Sequence, residues 1–154
     1  MRAIRCNNKN PTPYLKKHIN SLNLNKNIKI LDLGCGNLRN TIYLESLGFK
    51  NILSYDRAGD FGIKLDLSKE PIPETNAGFI LCNYVLCFLN DKERVFLINE
   101  MNRVSSKDCV IMIEMFKAKQ GVMYDIDNII KMFGTNWTII NKTKERFILK
   151  KVEE

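Results

Sequence analysis

The sequence contains few of the residues that metal and redox sites require. It has one histidine, His18, and its five cysteines include no C-x-x-C pair. Because a zinc site needs clustered ligands, we expect no metal centre. The cysteines, four of which lie in or beside apolar runs, are predicted to be reduced, buried thiols. They are Cys6, Cys35, Cys82, Cys87 and Cys109.

Long apolar runs are also missing from the sequence. No stretch approaches the roughly 18 consecutive apolar residues of a membrane helix, and residues 1–10 contain no apolar run of the signal-peptide kind. We therefore expect a cytoplasmic protein without membrane contact. The chain has 154 residues, 45% of them hydrophobic, which is enough for one domain with a substantial core and too few for two.

Acidic residues are missing before Asp32, although the formal net charge of the whole chain is +7. We interpret residues 1–10 as a flexible basic arm and residues 11–154 as a single domain, in a monomer or small homo-oligomer. Two interpretations of the basic residues stay open: a surface for nucleic acid or another anion, or solvated lysines. The basic residues cluster early, at Arg2, Arg5, Lys9, Lys16, Lys17, Lys26 and Lys29, and late, at Lys142, Lys144, Arg146, Lys150 and Lys151.

Apolar segments with helix and strand spacing alternate along the chain. Helices are predicted over residues 14–22, 38–47, 92–104 and 125–133. Strands are predicted over residues 28–33, 51–55, 63–67, 78–82, 109–115, 137–141 and 146–151, with a turn over 105–108. This order predicts a three-layer α/β fold with a mainly parallel seven-stranded sheet and a C-terminal antiparallel hairpin. Residues 58–62 are too few for a helix, so one crossover helix is expected to be reduced to a loop.

The most informative stretch is Lys-Ile-Leu-Asp-Leu-Gly-Cys-Gly-Asn over residues 29–37. A short apolar strand carries Asp32 and ends at Gly34 and Gly36, and a helical segment follows. In an open α/β sheet, ligands bind outside the carboxyl end of a strand at such a turn. Glycine has no Cβ, so the backbone can approach a ligand closely there.

The pattern Asp32-x-Gly34-x-Gly36 resembles motif I of the class I S-adenosylmethionine-dependent methyltransferases. The wider run over residues 34–44, Gly-Cys-Gly-Asn-Leu-Arg-Asn-Thr-Ile-Tyr-Leu, is similar to the G-C-G-x-G-R-N-x-x-Y-L run of small methyltransferases of the tellurite-resistance type. Residues 11–15, Pro-Thr-Pro-Tyr-Leu, resemble a P-x-P-Y segment that some of these place ahead of the core. The resemblance covers about residues 11–152. It implies a Rossmann-like methyltransferase fold with S-adenosylmethionine as cofactor.

The resemblance also implies roles for residues that follow the first strands. Asp32 would bind the cofactor's ammonium group, directly or through water. Asp56 would accept hydrogen bonds from the ribose hydroxyls, and Asp66 with Leu67 would lie against adenine. The complete set implied at the cofactor is Asp32, Gly34, Cys35, Gly36, Asn37, Asp56, Arg57, Asp66, Leu67, Asn83 and Tyr84.

Several alternatives stay open at these positions. The three acids could simply cap turns or end strands, and Asn83 and Tyr84 could be plain turn and core residues. A dinucleotide-binding domain is the main alternative for the whole pattern, but it prefers G-x-G-x-x-G, and Arg39 occupies the last position. Leu38 stands where the methyltransferase pattern usually has a third glycine.

The reaction expected from the resemblance is in-line methyl transfer, which depends mostly on alignment and exclusion of water. The Asp/Asn-Pro-Pro-aromatic tetrad of adenine and cytosine amino-methyltransferases is missing, because residues 83–86 read Asn-Tyr-Val-Leu. No cysteine follows a proline, which disfavours cytosine-C5 chemistry.

The acceptor is therefore unassigned, with a small molecule slightly favoured over RNA or DNA gripped by the basic N-terminal region. A non-catalytic S-adenosylmethionine-binding regulatory protein is a further alternative. Acceptor contacts are expected from Tyr14 and His18, from Tyr84, and from the loop over residues 116–124. No catalytic residue is assigned.

Overall fold

The computed structural model describes residues 9–116 and 125–152. Most of the predicted basic arm, most of the loop over 116–124, and Cys6 lie outside these residues. The strands are β1 (Ile30–Leu33), β2 (Ile52–Asp56), β3 (Ile63–Lys64), β4 (Ala77–Asn83), β5 (Ser105–Glu114), β6 (Trp137–Lys142) and β7 (Arg146–Lys151). The α-helices are α1 (Pro13–His18), α2 (Arg39–Ser46), α3 (Asp91–Val104) and α4 (Ile126–Met132), and Asn20–Leu22 and Leu86–Phe88 form short 3₁₀ turns.

The seven strands form one sheet in the order β3-β2-β1-β4-β5-β7-β6. Strands β1 to β5 pair in parallel, whereas β7 runs antiparallel to both β5 and β6. The predicted mainly parallel sheet with a C-terminal antiparallel hairpin is thus confirmed. From β1 the chain moves outward to β2 and β3, and then returns to β4 on the other side of β1. This reversal makes the carboxyl ends of β1 and β4 the topological switch point, where open α/β sheets bind ligands.

Helices cover both faces of the sheet. On one face, Leu97 of α3 and Ile129 of α4 belong to the same buried cluster as Leu31. On the other face, Leu15 of α1 and Leu44 of α2 pack in a cluster with Ile30. Burial on both faces explains why the central strands are nearly all apolar, and it confirms the three-layer architecture.

Some predicted boundaries were wrong. The helix over 14–22 stops at His18, and a 3₁₀ turn follows that ends at Asn23 in the left-handed conformation, with φ of 50°. The predicted turn over 105–108 belongs to β5, because Ser105 pairs with Ala77 across an irregularity in the β4–β5 ladder. Strand β3 has two residues instead of five, because the chain turns at Asp66.

The crossover between β2 and β3 contains no helix among its described residues, as predicted. Its course depends on Gly62. A Cβ at this position would lie 2.7 Å from both the Cys35 sulfur and the Ser54 carbonyl oxygen. Only glycine therefore lets this connection pack against the loop that follows β1. Across the described ranges, no helix has the length and apolar character needed to span a membrane.

Helix α3 begins with a capping box, which gives a test of local stability. The Asn90 side chain accepts a hydrogen bond from the Glu93 amide at 2.9 Å, and the Glu93 carboxylate accepts one from the Asn90 amide at 3.0 Å. We expect Asn90→Ala to lower the free energy of unfolding by about 1 kcal/mol. Urea denaturation measures this, with Asn90→Asp as the matched control that keeps the cap. Equal losses in both variants would contradict the assignment.

Candidate functional site

The loop that follows β1 is tied to the end of β2 by its own backbone. The amides of Gly34 and Cys35 both donate to the Tyr55 carbonyl oxygen, at 2.8 and 2.9 Å. The next amide, that of Gly36, donates to Oδ2 of Asp56 at 2.9 Å. These three hydrogen bonds fix the glycine loop, defined as residues 34–37, at the carboxyl edge of the sheet.

The two glycines of the loop have different surroundings. Both have positive φ, 76° at Gly34 and 53° at Gly36, which favours glycine. A Cβ on Gly34 would lie 2.3 Å from Cγ2 of Val85, so the turn that follows β4 packs directly against the loop. A Cβ on Gly36 would meet nothing within 4 Å. The loop is therefore closed towards β4 and has open space beside Gly36.

Asp32 lies beneath the loop and is 3% exposed. Its Oδ2 accepts a hydrogen bond from the Thr41 hydroxyl at 2.6 Å, and the Thr41 and Ser54 hydroxyl oxygens are 2.7 Å apart. Since Thr41 has one hydroxyl hydrogen and gives it to Asp32, Ser54 donates to Thr41. Burial raises the pKa of Asp32 to about 6, although the hydrogen bond from Thr41 opposes the rise. A positive charge placed nearby would therefore stabilise the ionised form of this carboxylate.

Asp56 is held at the end of β2 by two backbone amides. Besides the bond from Gly36, its Oδ1 accepts one from the Ala58 amide at 3.0 Å. Arg57, which lies between Asp56 and Ala58 in the chain, is exposed. Both carboxylate oxygens thus have fixed directions next to the glycine loop.

Asp66 takes part in a turn of its own. Its Oδ1 accepts from the Ser68 amide at 3.0 Å and from the Ser68 hydroxyl at 2.5 Å. The hydrogen bond from the Ser68 hydroxyl holds the pKa of Asp66 below its usual value. Its Oδ2 lies 3.9 Å from the Lys69 ammonium. Leu67 points into the core, at 6% exposure. Asp66 therefore does cap a turn, as one of the alternatives for this residue predicts.

The remaining loop residues connect β1 to α2. Cys35 is buried, and desolvation, followed by Asp32 and Asp56, raises the pKa of its thiol to about 12. The thiol is therefore neutral near pH 7 and is not a nucleophile. The Asn37 side chain accepts a hydrogen bond from the amide of Arg39 at 3.2 Å.

Leu38 precedes α2 in the left-handed conformation, with φ of 68°. A residue with a Cβ carries a cost of roughly 1–2 kcal/mol there. This conformation explains why the methyltransferase pattern has a glycine at this position. Tyr84, which follows β4, has a similar φ of 60°. Two strained residues thus flank the same edge of the sheet, a feature that is common at functional sites.

The end of β4 carries Asn83 and Tyr84. Asn83 is 8% exposed, and neither its side-chain oxygen nor its nitrogen has a hydrogen-bond partner within the described residues. The Tyr84 amide donates to the Glu114 carbonyl oxygen at 2.7 Å. The guanidinium carbon of Arg39 lies 5.9 Å from the centre of the Tyr84 ring, so α2 also contacts this turn.

Sequence reasoning missed two residues at this edge, Glu114 and Arg146. Glu114 ends β5 and is fully buried. Its Oε1 accepts a hydrogen bond from Nε of Arg146 at 3.0 Å, and the Tyr84 hydroxyl lies 3.4 Å from the same oxygen. The available signal was an acid at the end of an apolar strand, the position that Asp56 has in β2.

Tyr14 lies near enough to Glu114 to be affected by its charge, and His18 packs against Tyr14. The Tyr14 hydroxyl donates to Oδ1 of Asn141 at 2.8 Å. Burial, followed by the charge of Glu114, raises the pKa of Tyr14 to about 12. The half-buried His18 ring packs edge-on against Tyr14, with ring centres 4.6 Å apart, and desolvation, followed by Lys17, lowers the pKa of His18. Within residues 9–116 and 125–152, no group of three or more His, Cys, Asp or Glu side chains is arranged to hold a metal ion.

Known proteins resemble this chain in sequence and in fold. The family model of tellurite resistance protein TehB matches residues 6–71, whereas no curated protein matches. A TehB-like S-adenosylmethionine-dependent methyltransferase from Corynebacterium glutamicum is 21% identical, with a TM-score of 0.70 over 90% of this chain and 86% of that one. The chain has the fold of S-adenosylmethionine-dependent methyltransferases. The predicted resemblance to the tellurite-resistance type is confirmed.

Two further solved structures agree. An S-adenosylmethionine-dependent methyltransferase from Archaeoglobus fulgidus is 14% identical, with a TM-score of 0.67 over 90% of this chain and 91% of that one. Another from Aquifex aeolicus is 16% identical, with a TM-score of 0.61 over 88% and 87%. Together with the TehB match, these likenesses support the prediction of an enzyme, and S-adenosylmethionine is its expected cofactor.

The residues at the carboxyl edge fit this cofactor chemically. S-adenosylmethionine carries a sulfonium and an ammonium group, and the edge gathers the carboxylates of Asp32 and Asp56. The space beside Gly36 is open, as the approach of a ligand to the backbone requires.

The raised pKa of Asp32 predicts a measurable dependence of stability on pH. Because its folded pKa lies above its unfolded value, its contribution to stability is present at low pH and is lost as the pH rises through about 6. Because asparagine does not titrate, the Asp32→Asn variant does not show this pH-dependent loss of stability. We expect the variant to gain on the order of 2–3 kcal/mol relative to the wild type between about pH 4 and about pH 8. Denaturant titrations measure the difference.

The matched control for this test is Asp91→Asn, since the Asp91 carboxylate is fully exposed. Its stability difference from the wild type should change little over the same range. If the difference in unfolding free energy between Asp32→Asn and the wild type is the same at both pH values, the pKa of Asp32 is not raised by folding and the prediction is wrong.

Proposed function

We propose that this protein is an S-adenosylmethionine-dependent methyltransferase that acts on a small molecule. The observation that carries the proposal is the convergence of three strand ends at the switch point. Asp56 of β2 holds the Gly36 amide at 2.9 Å, and Val85 beyond β4 fills the space that a side chain on Gly34 would need. When bound, the cofactor supplies an electrophilic methyl group.

The cofactor-binding roles implied by the resemblance are part of this proposal. Asp56, with two fixed carboxylate oxygens, holds the ribose hydroxyls. Asp32 supplies negative charge towards the ammonium group. Asp66 borders the adenine together with the backbone of Leu67, whose side chain is in the core. The proposed set is completed by Gly34, Cys35, Gly36, Asn37, Arg57, Asn83 and Tyr84.

The remaining task of the protein is alignment and exclusion of water, since a strong nucleophile needs no general base for this displacement. Tyr14 and Tyr84 are suited to the exclusion of water, because both are largely withdrawn from solvent and bonded to neighbouring polar groups. His18 lies behind Tyr14, which supports its interpretation as a helix residue more than as a base.

The late basic cluster offers little surface to a nucleic acid, because three of its five cations are engaged within the fold. Lys142 pairs with Asp127 at 2.7 Å. Lys151 is buried and donates to the Ser105 hydroxyl at 3.0 Å, and Arg146 pairs with Glu114. A surface for RNA or DNA needs several free cations side by side. The alternative that uses the basic N-terminal region is decided by the labelling experiment below. The cytoplasmic location and the monomeric or small oligomeric state stay predictions.

Calorimetry with S-adenosylmethionine tests the cofactor site. We expect Asp56→Ala to weaken binding by more than about tenfold, because it removes the ribose acceptor and the anchor of the Gly36 amide. The matched control is Asp91→Ala, whose carboxylate is fully exposed and should not affect affinity. Equal affinity in the wild type and Asp56→Ala would refute the ribose assignment. No binding to the wild type at millimolar cofactor would refute the proposal.

The reaction is tested by tritium transfer from labelled cofactor into a fractionated cell extract. We expect label in the small-molecule fraction, and none with Asp56→Ala. Label in RNA or DNA would favour the nucleic-acid alternative instead. Cofactor binding without transfer into any fraction would favour a non-catalytic regulatory protein.

A further inference from the structure

Three buried polar atoms at the edge of the sheet have no partner among the described residues. They are Oε2 of Glu114 and both side-chain polar atoms of Asn83. Glu114 is fully buried and Asn83 is 8% exposed. Unpaired buried polar groups cost folding free energy, so each one in a native protein needs an explanation, such as a catalytic or binding role, an ordered water or a bound ion.

These atoms belong to neighbouring side chains. Asn83 and Glu114 are opposite one another in the parallel β4–β5 pair, at the last register position of both strands. On the other side of Glu114, the register partner in β7 is Arg146. Residues opposite one another in a ladder share a face of the sheet. Asn83, Glu114 and Arg146 therefore form one polar row at the carboxyl edge.

The row and the neighbouring Glu145 together carry two carboxylates and one cation. The Arg146 guanidinium lies 3.0 Å from Glu114 and 3.3 Å from Glu145, so one cation is shared by two carboxylates. Its remaining nitrogen is 3.3 Å from the Tyr84 hydroxyl. The charge of Glu114 contributes to raising the pKa of both Tyr14 and Tyr84, after burial itself. Arg146 thus leaves Oε2 of Glu114 without a donor.

Tyr84, whose hydroxyl lies 3.4 Å from Oε1 of this carboxylate, belongs to a group of aromatic rings. The Tyr84 and Phe116 rings have centres 4.7 Å apart, and the Phe88 and Phe116 rings are 5.4 Å apart. Phe88 is 39% exposed and Phe116 is 42% exposed. This aromatic cluster, Tyr84, Phe88 and Phe116, offers an apolar and cation-attracting surface beside a buried acid.

We propose that Glu114 and Asn83 bind the amino group of the methyl acceptor, and that the acceptor is a small amine whose apolar body lies on the aromatic cluster. An ammonium group supplies the donors that Oε2 of Glu114 and the Asn83 oxygen lack. The Asn83 nitrogen, which is itself a donor, would donate to an oxygen of the same molecule where the acceptor carries one. A carboxylate ligand would meet Glu114 and be repelled. The inference rests on the proposed function and specifies its substrate class.

The test measures binding of phenethylamine, hydrocinnamate and phenethyl alcohol by calorimetry in the presence of S-adenosylhomocysteine. These probes share a phenyl ring and differ in the charge of their end group. We expect only the amine to bind the wild type, with affinity about tenfold weaker or worse in Glu114→Gln. The matched control is Glu45→Gln, which removes an exposed carboxylate on α2 and should keep the affinity.

A second variant protects the test against misfolding of Glu114→Gln. Asn83→Leu replaces the two unpaired polar atoms with an apolar side chain of similar size. We expect it to raise the midpoint of urea denaturation while it loses amine binding. Because Asn83 also belongs to the proposed cofactor set, amine binding to this variant is measured at a concentration of S-adenosylhomocysteine that saturates the variant itself. A purely structural role for Asn83 predicts a lower midpoint and unchanged amine binding.

The outcomes separate the two proposals. If the wild type binds S-adenosylmethionine but not phenethylamine, or binds hydrocinnamate more tightly, the amine inference is overturned and the proposed function stands. Unchanged amine affinity in Glu114→Gln would also overturn it. Failure of the wild type to bind S-adenosylmethionine would overturn the proposed function itself. In Glu114→Gln we expect cofactor affinity within about threefold of the wild type.

Discussion

The tethering of the glycine loop to β2 is the constraint on which the rest of the site depends. Two amides converge on the Tyr55 carbonyl oxygen and a third reaches Asp56, so the loop cannot tilt independently of the sheet. Helix α2 must then start within a short span, which forces Leu38 into a left-handed conformation. In return, α2 brings Thr41 to Asp32. The local strain is thus compensated by a hydrogen-bonded and rigid floor beneath the proposed cofactor site.

Much of the fold could be predicted because the signals are local. Apolar strands that end in an acid or a glycine identified β1 and β2 with Asp32 and Asp56. The failures occurred where tertiary pairing overrides composition. Ser105 and its polar neighbours have the composition of a turn, yet they extend β5 because the backbone of Ala77 is available as a partner. The helix predicted over 14–22 stops at His18, and the left-handed Asn23 ends the 3₁₀ turn that follows it.

The acceptor side was harder to predict, because its residues meet only through long-range topology. Arg146 belongs to a basic cluster in the sequence, and nothing local indicates that it pairs with Glu114. The pairing follows from the antiparallel insertion of β7 between β5 and β6. Asn141 similarly becomes a partner of Tyr14 only through that hairpin. Predicting strands correctly was therefore insufficient to predict which side chains share the edge.

The bond between Tyr14 and Asn141 joins residues 127 positions apart, and this has a consequence for biosynthesis. A nascent chain emerging from the ribosome presents the glycine loop and β1 to β4 long before the final hairpin. During that interval Asn141 is not yet present to accept the hydrogen bond from the Tyr14 hydroxyl, and Arg146 is not yet present to pair with Glu114. The two halves of the proposed site therefore form at different times, and the proposed acceptor half can form only after β6 and β7 have been translated.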